Sequence, residues 1–94
     1  MELKLDDKQL ETLKALGANY FTMKQCAIVL EVDLAEFINH MKRPSSAIYK
    51  TYYSGYLLSL LKLRQSIADL ALRGSGPAQL QLIKIIEATE KANL

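Results

Sequence analysis

The sequence predicts an all-α fold, an N-terminal three-helix helix-turn-helix head followed by a long antiparallel helical hairpin. Three observations carry that expectation. A helix-start signature occurs three times before Pro44. The stretch from Ala47 to about Arg73 holds no proline and a single glycine. Gly74-Ser75-Gly76-Pro77 then separates it from a second stretch rich in leucine and isoleucine. The expected division is therefore 1–44 for the head and 45–94 for the hairpin.

The repeated signature is an apolar residue, a capping Asp or Thr, a Gln or Glu three positions on, and a second apolar residue. It reads Leu5-Asp6-Asp7-Lys8-Gln9-Leu10, then Phe21-Thr22-Met23-Lys24-Gln25-Cys26, then Val32-Asp33-Leu34-Ala35-Glu36-Phe37. In each, the cap oxygen can accept from a first-turn amide that has no partner inside the helix, and the Gln or Glu can reach back to the cap amide. The flanking apolar pair acts as a staple that fixes the angle at which the chain joins the helix.

The first helix is expected from Asp6 to Leu16, with Leu10, Leu13 and Leu16 on one face and Gly17 as a left-handed stop. The second runs from Thr22 to about Leu30, and the third cap follows so closely that the two helices must cross steeply, as in a helix-turn-helix. The third carries Phe37, Ile38 and Met41 and must end before Pro44, because a residue preceding proline is pushed out of helical geometry. Ser45 or Ser46 caps the long fourth helix, bent at Gly55 if anywhere. Pro77 opens the fifth, which runs to about Lys91 or Ala92.

Along the long helix Leu60, Leu63, Ile67 and Leu70 form one stripe, and Leu57, Leu61, Ala68 and Leu72 another. The last helix likewise has Leu80 and Ile83 on one side, with Leu82, Ile85 and Ile86 spreading round the other. A single antiparallel neighbour covers one stripe, not two. Self-association through Leu57, Leu60, Leu61, Leu63, Ile67, Leu70, Leu80, Ile83 and Ile86 is the expected remedy. The alternative is a head that folds back onto the second stripe.

Composition narrows the function classes. Half of the 94 residues are apolar and 23% are charged, a globular balance and not a disordered one. No apolar run approaches the roughly 20 residues of a bilayer span, and the Met-Glu-Leu-Lys start is unlike a signal peptide. A single cysteine, Cys26, placed in an apolar run, fits packing in a reducing cytoplasm better than a disulfide scaffold. One histidine, His40, with no cysteine pair, gives no metal-ligand set, and no metal or other cofactor is expected. A nucleophile with its base, a carboxylate pair in a pocket and a phosphate-cradling loop are all wanting, so the chain reads as a binding protein and not an enzyme. A net charge of +2 decides nothing about nucleic acid.

With head and hairpin placed, the sequence resembles the small terminase subunits of tailed bacteriophages and related phage helix-turn-helix proteins. The resemblance rests on Ile48, Tyr52 and Gly55 at the start of the long helix, on Ala71-Leu72-Arg73-Gly74 at its end, and on the leucine-rich stretch from Ala78 to Ile86. Within the head, Ala27 fits the small position where two helices touch, Leu30, Val32 and Phe37 fit the core, and His40 falls where an aromatic is common. Glu31 stands in place of the usual turn glycine.

The resemblance implies an oligomer, with a ring among the forms open to it, in the bacterial host cytoplasm. Its heads would engage double-stranded viral DNA for genome packaging, and it would regulate a separate large terminase subunit. It implies neither a membrane nor a small-molecule substrate. Asp33, Leu34, Ala35, Ile38, Asn39 and Lys42 would face DNA. Asn39 suits an adenine edge, Lys42 and Arg43 suit phosphates, and Lys24 is a further backbone candidate, the alternative for all four being an ordinary solvated surface. Tyr49, Tyr52, Tyr53 and Tyr56 read mainly as packing residues. Two other functions stay open, a dimeric helix-turn-helix transcriptional regulator and an oligomeric adaptor that does not bind DNA.

Overall fold

The computed structural model of the protein describes residues 3–93, and within them the chain is all-α, with five helices and no strand. In order these are α1 (Asp7–Ala18), α2 (Met23–Leu30), α3 (Leu34–Met41), α4 (Ala47–Leu72) and α5 (Gly76–Asn93). The chain divides into two compact units between Ser59 and Leu60, so α4 lends its first turns to one unit and its last to the other. That division lies later than the 44/45 boundary expected from Pro44, because Ile48 and Tyr52 of α4 belong to the N-terminal core.

The three starts form as their sequences dictate, with one instructive difference. Asp6 accepts from the Gln9 amide at 2.7 Å while the Gln9 side chain accepts from the Asp6 amide at 3.0 Å. Thr22 and Gln25 make the same reciprocal pair at 3.1 and 3.0 Å. Asp33 accepts from the Glu36 amide at 3.0 Å, but α3 carries no reciprocal bond from Glu36. Gln9 and Gln25 are neutral, whereas Glu36 would bring a second carboxylate to a cap already occupied by Asp33, and the two charges repel.

Three helices end in one way. Each closes with a residue at positive φ, whose amide bonds back three residues while the next amide bonds back five, the Schellman pattern. For α1 the residue is Tyr20 (φ 61°), with Tyr20 N–H to Gly17 O at 3.0 Å and Phe21 N–H to Leu16 O at 3.1 Å. For α2 it is Glu31 (φ 57°), with bonds to Ile28 and Ala27, and for α4 it is Gly74 (φ 98°), with bonds from Gly74 and Ser75 to Ala71 and Leu70. Glu31 thus adopts the turn geometry that a glycine would take without strain. Tyr20 does so with its ring edge-on to Tyr56, the centroids 5.0 Å apart.

Gly17 is therefore not the stop expected of it. It lies inside α1, buried, because a Cβ there would overlap the backbone carbonyl of Tyr52 on α4. Gly55 answers it from α4, where a Cβ would overlap the carbonyl of Lys14. Two glycines let α1 and α4 touch backbone to backbone. Around that contact Leu13, Leu16, Cys26, Ala27, Leu30, Phe37, Met41, Ile48 and Tyr52 form the core, with Leu13, Cys26 and Phe37 fully enclosed. Tyr52 also donates its hydroxyl to the Phe21 carbonyl at 2.6 Å, tying α4 to the turn before α2. Burial, and next to it the neighbouring Cys26, raises the Tyr52 phenol above its ordinary value of 10.0, and burial raises the Cys26 thiol above 9.0.

The C-terminal unit is built differently. Ser75 caps α5, its hydroxyl accepting from Ala78 at 3.3 Å, so Pro77 stands at the second helical position and not the first. Its missing amide is again one that would have no intrahelical partner. Ala71 and Ala78 are buried beside the turn, and the Gln79 side-chain amide donates to the Ala71 carbonyl at 3.0 Å. No described helix is long and apolar enough to cross a membrane.

Candidate nucleic-acid interface and association surface

Helix α3 is joined to α2 by a turn of three residues, Glu31 to Asp33, and is itself eight residues long, about 12 Å at 1.5 Å per residue. Its inner face is fixed by Phe37, His40 and Met41 in the core, which turns Ala35, Asn39 and Lys42 outward as a stripe at spacings of four and three. Of the residues expected to face DNA, Leu34 instead packs against the core and Ile38 is half-buried, while the Asp33 carboxylate is engaged as a cap. Glu36, absent from the expected set, is exposed. A helical-wheel offset of one residue separates these two readings, and only the packing of Leu34 decides it.

The four expected DNA-contact residues are all exposed. Lys24 stands in the first turn of α2, Asn39 on the outer stripe of α3, and Lys42 and Arg43 immediately beyond it. Arg43 is not free-swinging. One guanidinium nitrogen lies 2.9 Å from Nδ1 of His40, a residue only 8% exposed, so a buried residue holds an exposed cation in place. His40 thereby has a positioning contact. Lys50 is exposed one turn into α4, and Lys62 and Arg64 belong to the C-terminal unit.

The expected association residues separate into two environments. Leu60 and Ile67 are half-buried, and with the buried Ala71 they form a seam along α4 at spacings of seven and four, as Ala78, Leu82 and Ile85 do along α5 at spacings of four and three. Leu61, Leu63, Leu70, Ile83 and Ile86 are between 47% and 52% exposed, Leu80 is 64% exposed and Leu72 is 87% exposed. Leu57, within the N-terminal unit, is also exposed. At 100° per residue, Leu61, Ala68 and Leu72 flank the seam on one side of α4. In an antiparallel pair, Ile83 and Ile86 of α5 flank it on that same side. Arg64, also exposed, stands between Leu61 and Ala68 on this flank.

Each leucine or isoleucine taken fully from water contributes about 1.5–3 kcal/mol, so covering Leu61, Leu72, Ile83 and Ile86 of this flank on each of two copies is worth roughly 7–14 kcal/mol. That is comparable to the roughly 4–15 kcal/mol that association costs in lost freedom, so a partner of matching shape could hold the pair. No family model, curated protein or solved structure matches the chain.

Proposed function

We propose that this chain is a homo-oligomeric DNA-binding protein of the small-terminase kind, with residues 3–59 as the head that meets double-stranded DNA and residues 60–93 as the association element. The observation that carries the reading is the combination of α2 and α3. A short second helix presents an uncovered stripe ending in Asn39 and Lys42, with Arg43 steadied beside it. Asn39 offers the paired donor and acceptor that an adenine edge accepts in the major groove. Lys24, Lys42 and Arg43 would set register on phosphates without reading sequence.

The second copy is the occupant that best suits the bare flank of α4 and α5. That flank presents Leu61, Ala68 and Leu72 of α4 with Ile83 and Ile86 of α5, a largely apolar surface interrupted by Arg64, and the stabilisation available from covering it on two copies is of the size that association demands. In this reading the protein carries out no covalent chemistry, and the ATPase and nuclease of packaging reside on a separate large subunit in the host cytoplasm. A second reading, an oligomeric adaptor that leaves DNA alone, is favoured by one observation, the exposed Glu36 beside the Asn39 stripe.

Binding of a short DNA duplex across a range of salt concentrations separates the two. Three cationic contacts give a slope of log K against log salt of about −3, and Asn39→Ala should relax sequence preference. A flat salt response, or no binding at low salt, would leave the adaptor.

A further inference from the structure

Beside the α3–α4 connection lies a cleft of about 670 Å³ that the DNA-contact residues named so far do not use, except for Arg43. Lys4 and Arg43 supply two cations to its wall, Ser45 and Ser46 two hydroxyls, and Leu5, Leu10 and Ile48 an apolar floor. None of the described lining residues is a carboxylate. The first turn of α4 opens on the same space, with Ser46 Oγ taking the Ile48 amide at 3.2 Å. Arg43 is held there by the buried His40 through one nitrogen, and a guanidinium carries five N–H donors in all.

We infer that this cleft seats a phosphodiester of the DNA backbone, the phosphate against Lys4, Arg43 and Ser45 and the sugar carbons over Leu5 and Ile48. The chemistry of the lining selects that ligand. A bare inorganic anion has no use for the apolar floor, and an apolar ligand would strand two cations, whereas a sugar-phosphate chain presents both characters a few ångströms apart. Arg43 on the cleft wall directly follows Lys42 at the end of α3, so a strand whose base edges meet Asn39 can continue into the cleft. The inference rests on the DNA-binding reading of α2 and α3, and adds Lys4 and Ser45 to the residues that hold the strand.

The test is a pair of NMR titrations of the full chain, one with inorganic phosphate and one with a short duplex, alongside duplex affinities of Lys4→Ala and Ser45→Asp. Both sites are exposed. An acid just before α4 also favours the helix through its dipole, so Ser45→Asp should fold. We expect the duplex to shift the amides of Ser45 to Ile48 more strongly than phosphate does. Lys4→Ala should weaken duplex binding roughly threefold to tenfold, with the salt slope reduced by about one. Ser45→Asp should weaken it at least about tenfold. If the duplex binds both variants as it binds the native chain, or shifts α3 amides while 45–48 stay still, the cleft is not a strand site and the DNA-binding reading stands. If phosphate alone shifts 45–48, the phosphodiester assignment is wrong. If the native chain binds no duplex at all, this inference and the DNA-binding reading fail together.

Discussion

In residues 3–59, Leu13 and Phe37 are sealed from water beneath three short helices and the first turns of α4. In residues 60–93 the buried side chains are two alanines, while seven leucines and isoleucines lie half-bare or more. Both units are helical and both are rich in apolar residues, so composition does not distinguish them. What differs is the number of directions from which each helix is covered. Three helices crossing steeply round a fourth enclose a core, whereas two helices joined by a tight turn can cover only one stripe on each. The first unit encloses its own core, and in the proposed reading the second relies on another copy to cover it.

The largest effect should come from the backbone contact at the heart of the first unit. In an exposed helix Gly→Ala gains up to about 1 kcal/mol, but Gly17→Ala and Gly55→Ala should each cost about 3 kcal/mol or more in urea denaturation, because each Cβ meets a carbonyl that belongs to the other helix. A gain at either position would mean that α1 and α4 do not touch there. In the second unit the response should be of another kind. Leu72→Lys with Ile83→Lys should leave helical content and the melting of the first unit unchanged, yet weaken self-association by about 100-fold, read from the dependence of solution mass on concentration.

A smaller effect is tied to pH. The Tyr52 phenol and Cys26 thiol both titrate higher in the folded protein than their ordinary values, chiefly through burial. Stability should therefore be full below about pH 9 and fall as the pH rises further, since the unfolded chain loses these protons first. Tyr52→Phe should cost about 1 kcal/mol at neutral pH through the lost bond to the Phe21 carbonyl, and should flatten the alkaline fall. An unchanged alkaline profile would remove Tyr52 from the explanation. Smallest is Glu31→Gly, which should gain up to about 1 kcal/mol by relieving a left-handed non-glycine residue. A loss would show that the Glu31 side chain contributes more than its backbone strain takes away.

The contrast also explains what could be read from the sequence. Asp6, Thr22 and Asp33 announced their helices because capping is settled within four residues, and Gly74 and Pro77 marked the turn between α4 and α5 for the same reason. Gly17 misled because a glycine that ends a helix and a glycine that admits a neighbouring backbone look alike in one dimension. Tyr20 was hidden for the converse reason, since left-handed stops are usually glycine, whereas Glu31 was marked by the turn position it fills. In the candidate site, the exposure of Asn39 and Lys42 was legible from helical spacing. Leu34 and Glu36 were not, because a one-residue rotation about α3 is fixed by tertiary packing. The cleft was out of reach, as Lys4 and Ser45 are far apart along the chain and the fold alone brings them to one wall.

The most direct test of the dependence of the second unit on a partner is the solution mass of the native chain, measured by sedimentation equilibrium from low micromolar to near-millimolar concentration. We expect a mass that is a fixed multiple of 10.6 kDa at the upper end and dissociates on dilution or in the Leu72→Lys, Ile83→Lys variant. A constant 10.6 kDa across that range would show that the bare flank of α4 and α5 has no second copy to cover it.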